Sequence, residues 1–361
     1  MKKITKQCPM IEKELYREYF KEDTVFLDIE TTGFQANYQS CYLIGCMFHR
    51  NDHYELVQYF AETEDDEQEM LFCFLDDIIT CKTIITFNGD TFDLPFLKKR
   101  FEKYNMIFHN ELFHSIDLFK VAKKCKNYLH LPNYKQKTIE LFLQINRKDL
   151  YDGGQLISVY KAYEKDKDPK KEELLLLHNA EDVQYMLPLL NLLEYQKLKE
   201  ANIQDLTITE PNSALDELFF EAKINCNLPV AISIPLDYCF LKINGNKIIG
   251  TLKGTEDDLK YFYKNSKDYD FIINENMILP KLLSQSIPKE LKRKAKKEEC
   301  FALQHGHFLP AINTTKESEL YQNIRLFKRA FKDKEQYFLI DSNSFSKDFI
   351  AAYIKQILKS I

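Results

Sequence analysis

The chain has 361 residues, enough for a domain of about 200 residues and a smaller companion, and its 45% hydrophobic and 29% charged content is too apolar for a disordered chain. Its net charge of -5 gives no whole-protein pull toward nucleic acid and argues weakly against a protein that coats it, leaving local basic patches or bound cations to make such contact. No stretch approaches the roughly 20 apolar residues of a membrane span. The nine cysteines include no CxxC pair, and MKKITKQCPM leads into charged EKELYREYFKED rather than an apolar signal core, so a globular protein of the reducing cytoplasm is expected.

In chain order, TVFLDIE from Thr24 reads as a buried strand, and CYLIGCMF from Cys41 and YELVQYF from Tyr54 supply two more. Met70, Leu71, Phe74, Leu75 and Ile78 then recur at helical spacing in an acidic stretch. TIITF from Thr83 is a short strand ending in the turn formers Asn88-Gly89-Asp90, followed by a helix carrying Phe96, Leu97 and Phe101. Ser115 to Leu118 suits a further short strand. The remainder to about Tyr195 is predicted helical, with breaks near Pro132, Gly153-Gly154 and Pro169.

Beyond Leu198 the character changes. A hairpin is expected at Asn244-Gly245 between FLKI and KIIGTL, with late helices near 316–332 and 345–359. The basic run from Lys289 to Lys297 reads either as an ordinary charged helix or as a surface that holds nucleic acid. There is no internal repeat. The expectation is an α/β domain over 1–200, a mixed sheet flanked by helices, followed by a smaller α+β accessory domain over 205–361.

Three segments carry chemistry. Asp28 and Glu30 stand two apart on a strand, so their carboxylates share a face while Ile29 points the other way. Like charges so placed call for a cation, and hard divalent ions take oxygen ligands of this kind, although an isolated D-x-E also occurs on solvent-facing strands. Asp93, in FNGDTFD, lies just past a buried strand, and it serves equally as the N-cap of the following helix. His178 and Asp182, in HNAEDV, are four apart in a helical stretch and so share one helix face, as a local His–Asp pair also does.

Together DIETTG, FNGDTFD and HNAEDV resemble, in order, the motifs of the DEDD exonuclease group of the ribonuclease H-like superfamily, over roughly residues 20–195. Within that span TIELFLQINRKDLYDGGQLISVYKAY looks like the helical insert of the bacterial YprB-type branch. The resemblance implies a 3'-to-5' exonuclease on single-stranded DNA or RNA, with Asp28, Glu30, Asp93 and Asp182 holding two Mg²⁺ or Mn²⁺ ions and His178 as general base. It also implies Thr31, Thr32, Gly33, Asn88 and Phe92 around the terminal nucleotide, with Asp117 as a supporting acid near the site. One departure stands in the last motif: His178 is four residues before Asp182, the spacing the group uses for Tyr, whereas its catalytic His stands five before.

A base could stack on Phe34, although with 27 Phe and 21 Tyr most aromatic side chains serve packing. Lys120, Lys123, Lys124, Lys126, Lys135 and Lys137 form a basic stretch able to track a phosphate backbone or to sit on a solvated helix. A structure-specific endonuclease of the same fold and a non-catalytic nucleic-acid-binding protein are the alternatives.

Overall fold

The computed structural model describes residues 1–148, 151, 153–209, 217–313, 319–340 and 346–361, and the chain divides into two compact units, Met1–Gln196 and Lys197–Ile361. The first unit contains β1 (Lys2–Pro9), α1 (Glu14–Tyr19), β2 (Thr24–Thr31), β3 (Cys41–Arg50), β4 (His53–Phe60), α2 (Glu67–Ile78) and β5 (Thr83–Thr86). It continues through α3 (Asp93–Lys103), β6 (His114–Asp117), α4 (Leu118–Lys124), α5 (Lys126–Leu129), α6 (Gln136–Phe142), α7 (Gly153–Asp166), α8 (Pro169–Leu189) and α9 (Leu192–Lys197).

The six strands form one mixed sheet in the order β1-β4-β3-β2-β5-β6. β2 pairs antiparallel with β3 and parallel with β5, which pairs parallel with β6. This is the mixed sheet flanked by helices, an α/β architecture, that was expected from sequence. β2 is buried along nearly its whole length, as a central strand covered on both faces must be. On one face Val25, Leu27 and Ile29 pack with Met70, Leu71, Phe74 and Ile78 of α2 and Leu97 and Phe101 of α3. On the other, Tyr42, Leu43 and Phe60 meet Leu156, Tyr160 and Tyr163 of α7 and Leu175 of α8.

The strand β1 is absent from the expectation drawn from sequence. Its eight residues, KKITKQCP, are mostly exposed, because an edge strand needs few apolar residues and is held by its ladder to β4.

The second unit contains β7 (Ile203–Thr209), β8 (Glu217–Leu236), β9 (Cys239–Lys253), β10 (Thr255–Phe262), β11 (Tyr269–Ile272), β12 (Met277–Pro280), β13 (Lys292–Lys294), β14 (Phe301–Pro310), β15 (Tyr337–Leu339) and α10 (Lys347–Ser360). They form three three-stranded sheets, β7-β8-β9, β10-β14-β15 and β12-β11-β13.

Three expectations for this unit need correction. The hairpin turns at Asp237-Tyr238, whereas Asn244-Gly245 lies inside β9. There the left-handed Gly245 (φ 58°) sits opposite Leu228 at a shift in the β8–β9 register, so its freedom serves an irregularity rather than a turn. The basic run is not a helix: Lys289–Leu291 is a single 3₁₀ turn and Lys292–Lys294 is β13. In it Arg293 forks onto Glu299 and lies 4.1 Å from the Phe271 ring centroid, while the Lys292 ammonium donates to the Ser284 carbonyl. Finally, of the helix expected over 316–332, the described residues 319–332 hold only the 3₁₀ turn Glu319–Tyr321 and isolated bridges at Phe327 and Lys328.

Candidate metal centre

The centre is assembled on β2. Its period of two sends Ile29 into the layer under α2 and α3 and turns Asp28 and Glu30 toward α8. The β2–β5 ladder ends at Phe26, which leaves the later N–H groups of β2 without strand partners on that side. The Asp93 carboxylate fills one such place, accepting the Ile29 N–H at 3.1 Å. Asp93 is the first residue of α3, and the residue at the cap position is Phe92.

From above, α8 lowers three side chains onto this face. His178 Nε2 lies 3.4 Å from Glu30 Oε1 and 3.2 Å from Asp182 Oδ2, and the ligand atoms of these three residues all fall within 4.8 Å of one another. Asn179 is fully buried, and its amide donates to Asp28 Oδ2 at 2.9 Å. Its position depends on a row across three strands, since Asp28 pairs with Gly45 and Gly45 with Gln58. A Cβ on Gly45 would stand 2.2 Å from Asn179 Oδ1, so only glycine leaves room. Gln58 then donates to Asn179 Oδ1 and to the Leu176 carbonyl, each at 2.9 Å. The amide flip of Asn179 is thereby fixed, with its N–H directed at the carboxylate.

The electrostatics report crowding. Desolvation, followed by the charges of Asp182, Glu30 and Asp93, holds the Asp28 carboxyl well above the usual carboxylate range, against the lowering effect of Asn179. Asp93 is pushed up to about 7, chiefly by burial, with Asp117 and Asp182 adding to the rise. Asp117 is buried and caps α4 through the N–H groups of Phe119 and Lys120. Its Oδ1 also accepts the Asn88 N–H at 2.9 Å, and its Oδ2 is buried without a hydrogen-bond partner.

A protein cation reaches the cluster from outside. Arg147 forks onto Glu140, and its remaining nitrogen, Nη1, stands in ion-pair contact with Asp182 Oδ1 without the angle of a hydrogen bond. Gln136 closes this group by donating to Glu140 Oε1 and the Asp182 carbonyl, each at 3.0 Å. Of the RKDLYDGG segment, Asp149, Leu150 and Asp152 lie outside the described residues.

The other anticipated residues sit around the centre. Thr31 and Thr32 are buried and their hydroxyls are engaged, Thr31 with the Gly33 carbonyl at 2.8 Å and Thr32 with the Ser40 N–H at 3.0 Å. Asn88 is left-handed (φ 68°), which asparagine tolerates, and its side chain accepts from the Thr91 hydroxyl. Phe92 lies 6.1 Å from Phe34, ring to ring, and both line a hollow of about 320 Å³ with Tyr38, Thr91, Phe96 and Lys99. Phe34 and Tyr38 are more than 80% exposed, unusual for large aromatic side chains with a core to enter. Among the anticipated lysines, Lys120 pairs with Asp90 at 2.6 Å, Lys123 lies over the Phe119 and Tyr134 rings, and Lys137 donates to the Tyr151 carbonyl.

Asn179, Gln58 and Gly45 carry roles that sequence reasoning did not assign. One signal was present, since a glycine inside an otherwise apolar strand marks a close approach.

Two carboxylates and one imidazole whose ligand atoms lie within 4.8 Å of one another, with the crowded Asp28 carboxyl on the same strand face, fit a divalent cation. Residues 25–194 match the family model described as the RNase_H superfamily. Among solved structures, the chain is similar to a family B DNA polymerase from the archaeon Pyrobaculum calidifontis, at 12% identity and a TM-score of 0.37 over 49% of this chain and 24% of that one. It is also similar to exonuclease I at 11% identity, with a TM-score of 0.30 over 55% of each chain. A product-bound exonuclease I gives 11% identity and a TM-score of 0.29, over 55% of this chain and 58% of that one. The chain thus spans about a quarter of the polymerase and somewhat over half of exonuclease I. No curated protein matches it.

Proposed function

We propose that this chain, with its ribonuclease H-like sheet, is a metal-dependent nuclease that hydrolyses phosphodiester bonds of DNA or RNA. The observation that carries the reading is the crowding at Asp28, a buried carboxyl whose hold on a proton is raised by desolvation and by three other acids around it. A fold kept only for binding has no use for such a cluster, because unneutralised carboxylates on one face cost stability.

In this reading Asp28, Glu30, Asp93 and Asp182 hold two divalent ions, Mg²⁺ or Mn²⁺. Ions bound there supply positive charge to the attacking and leaving oxygens of the phosphodiester. Asn179 orients Asp28 through a single amide N–H, and the Ile29 N–H does the same for Asp93. His178 acts as the general base, taking a proton from the attacking water at Nε2, a role suited to an imidazole near neutral pH.

The hollow between Phe34 and Phe92, next in sequence to Asp93, receives the terminal base by stacking. The 3'-to-5' direction on single strands and the YprB-type branch are carried in this reading by the resemblance of the three motifs and of the helical insert. The nine cysteines, none of them in a disulfide, accord with a reducing cytoplasm. Among the described residues, no helix is long and apolar enough to cross a membrane. The second unit, 197–361, serves in this reading as an accessory domain.

The test incubates the full chain with 5'-labelled single-stranded DNA and RNA under Mg²⁺ or Mn²⁺, beside Asp28→Ala. A metal-dependent ladder of shortened products that vanishes in the variant is expected. His178→Ala should slow it by roughly 10² or more, the usual range for loss of a general base. Equal cleavage by Asp28→Ala, or none by any protein, overturns the proposal. Internal cleavage of junctions without a ladder turns it into an endonuclease.

A further inference from the structure

Asp182 is paired with a protein cation, Arg147, that is itself firmly placed. The Arg147 and Glu140 side chains are 6% and 1% exposed, and the guanidinium faces Glu140 with two nitrogens and Asp182 with the third. The two oxygens of Asp182 therefore differ. Oδ1 belongs to Arg147, while Oδ2 points at His178 Nε2, inside the group of ligand atoms shared with Glu30.

We infer that Arg147 is a positioning residue that sets ion selectivity, because by holding Oδ1 it leaves Asp182 only Oδ2 to offer an ion. The inference rests on the proposed ion site. Mg²⁺ and Mn²⁺ are small and take one oxygen from each carboxylate in a near-octahedral shell. Ca²⁺ is larger, takes six to eight oxygens and readily accepts both oxygens of one carboxylate. A carboxylate pinned by one oxygen thus discriminates against Ca²⁺, much as a specific site rejects a competitor by denying it a contact. Glu140 makes the device tolerable, since it balances the guanidinium charge so that Arg147 restrains Asp182 without displacing the ion. Its own orientation is fixed by Gln136.

The experiment titrates the full chain, Arg147→Ala and Arg147→Gln with Mg²⁺ and with Ca²⁺ by calorimetry, in the absence of nucleic acid. The expected result is a shift in the ratio of the two dissociation constants toward Ca²⁺ by about tenfold in both variants. A rise in affinity for both ions by one common factor, which is what simple removal of a positive charge produces, overturns the inference, and so does an unchanged ratio. Should Arg147→Ala fail to fold by circular dichroism, the uncharged but polar Arg147→Gln decides on the same ratio. If the unaltered chain binds neither ion, the proposed function fails instead, which keeps the two failures distinct.

Discussion

At the residue scale the most exacting position is Gly45, whose missing Cβ lets Asn179 reach Asp28. Gly45→Ala should destabilise the protein by about 1–3 kcal/mol, the usual cost of overpacking, as read by denaturant melts. In an Asn179→Ala background the same change should cost much less, because the clashing atom is gone; equal costs in the two backgrounds would refute the contact. The pH response belongs to Asp93. Its folded carboxyl titrates at about 7 against 3.8 for the free side chain, so between those values the folded chain holds a proton that the unfolded chain releases. Stability therefore falls as pH rises through that window, by up to about three units at 1.36 kcal/mol each, on the order of 4 kcal/mol. Melts of chelator-treated protein should give a lower Tm at pH 8 than at pH 6, with Mg²⁺ narrowing the gap and Asp93→Asn reducing it. A flat profile counts against the crowding. The acids themselves were legible in sequence because each sits in a short local motif. Gln58 and Arg147 were not assigned roles, since what they do depends on partners 121 and 35 positions away in the chain.

At the scale of elements, the buried pair Glu67–Arg100 joins pieces that local sequence keeps separate. Glu67 opens α2 and accepts the Cys41 N–H at the start of β3, while Arg100 of α3 also donates to the Ala36 carbonyl. The loop carrying Phe34 and Tyr38 is thereby tied to both helices. Glu67→Ala should cost about 3–5 kcal/mol by stranding a buried guanidinium, whereas a paired change of Glu67 and Arg100 to Met should cost less than either single loss implies. Thermal melts of the three variants check this, and additive losses contradict it. Legibility here followed burial. The central strands and α2, with apolar residues at regular spacing, were found from sequence. The edge strand β1 was missed because polar residues suffice where one side faces water, and Asn244-Gly245 misled because a left-handed glycine suits a register shift as well as a turn.

For the whole molecule, the division at Gln196 predicts that a fragment of residues 1–196 folds alone, with its own core on both faces of the sheet. Its circular dichroism and its Mg²⁺ titration should match those of the corresponding part of the full chain; an unfolded fragment excludes independence. The second unit was the least legible from sequence. A hairpin was expected there, at the wrong turn, and the short strands β11 to β13 draw their pairing from residues such as Lys292–Lys294 that read as a solvated helix.

The alternation of β2 carries a last consequence, for quality control during folding. Because Asp28 and Glu30 share their strand with Ile29, a slip of one residue against β3 would turn both acids into the apolar layer beneath α2 and α3 and Ile29 into the cluster. Misregistered molecules would bury two charges and fail to close the sheet. Every molecule that completes this fold has thereby already aimed its first two carboxylates, so correct assembly of the site is inspected by the same step that builds the core.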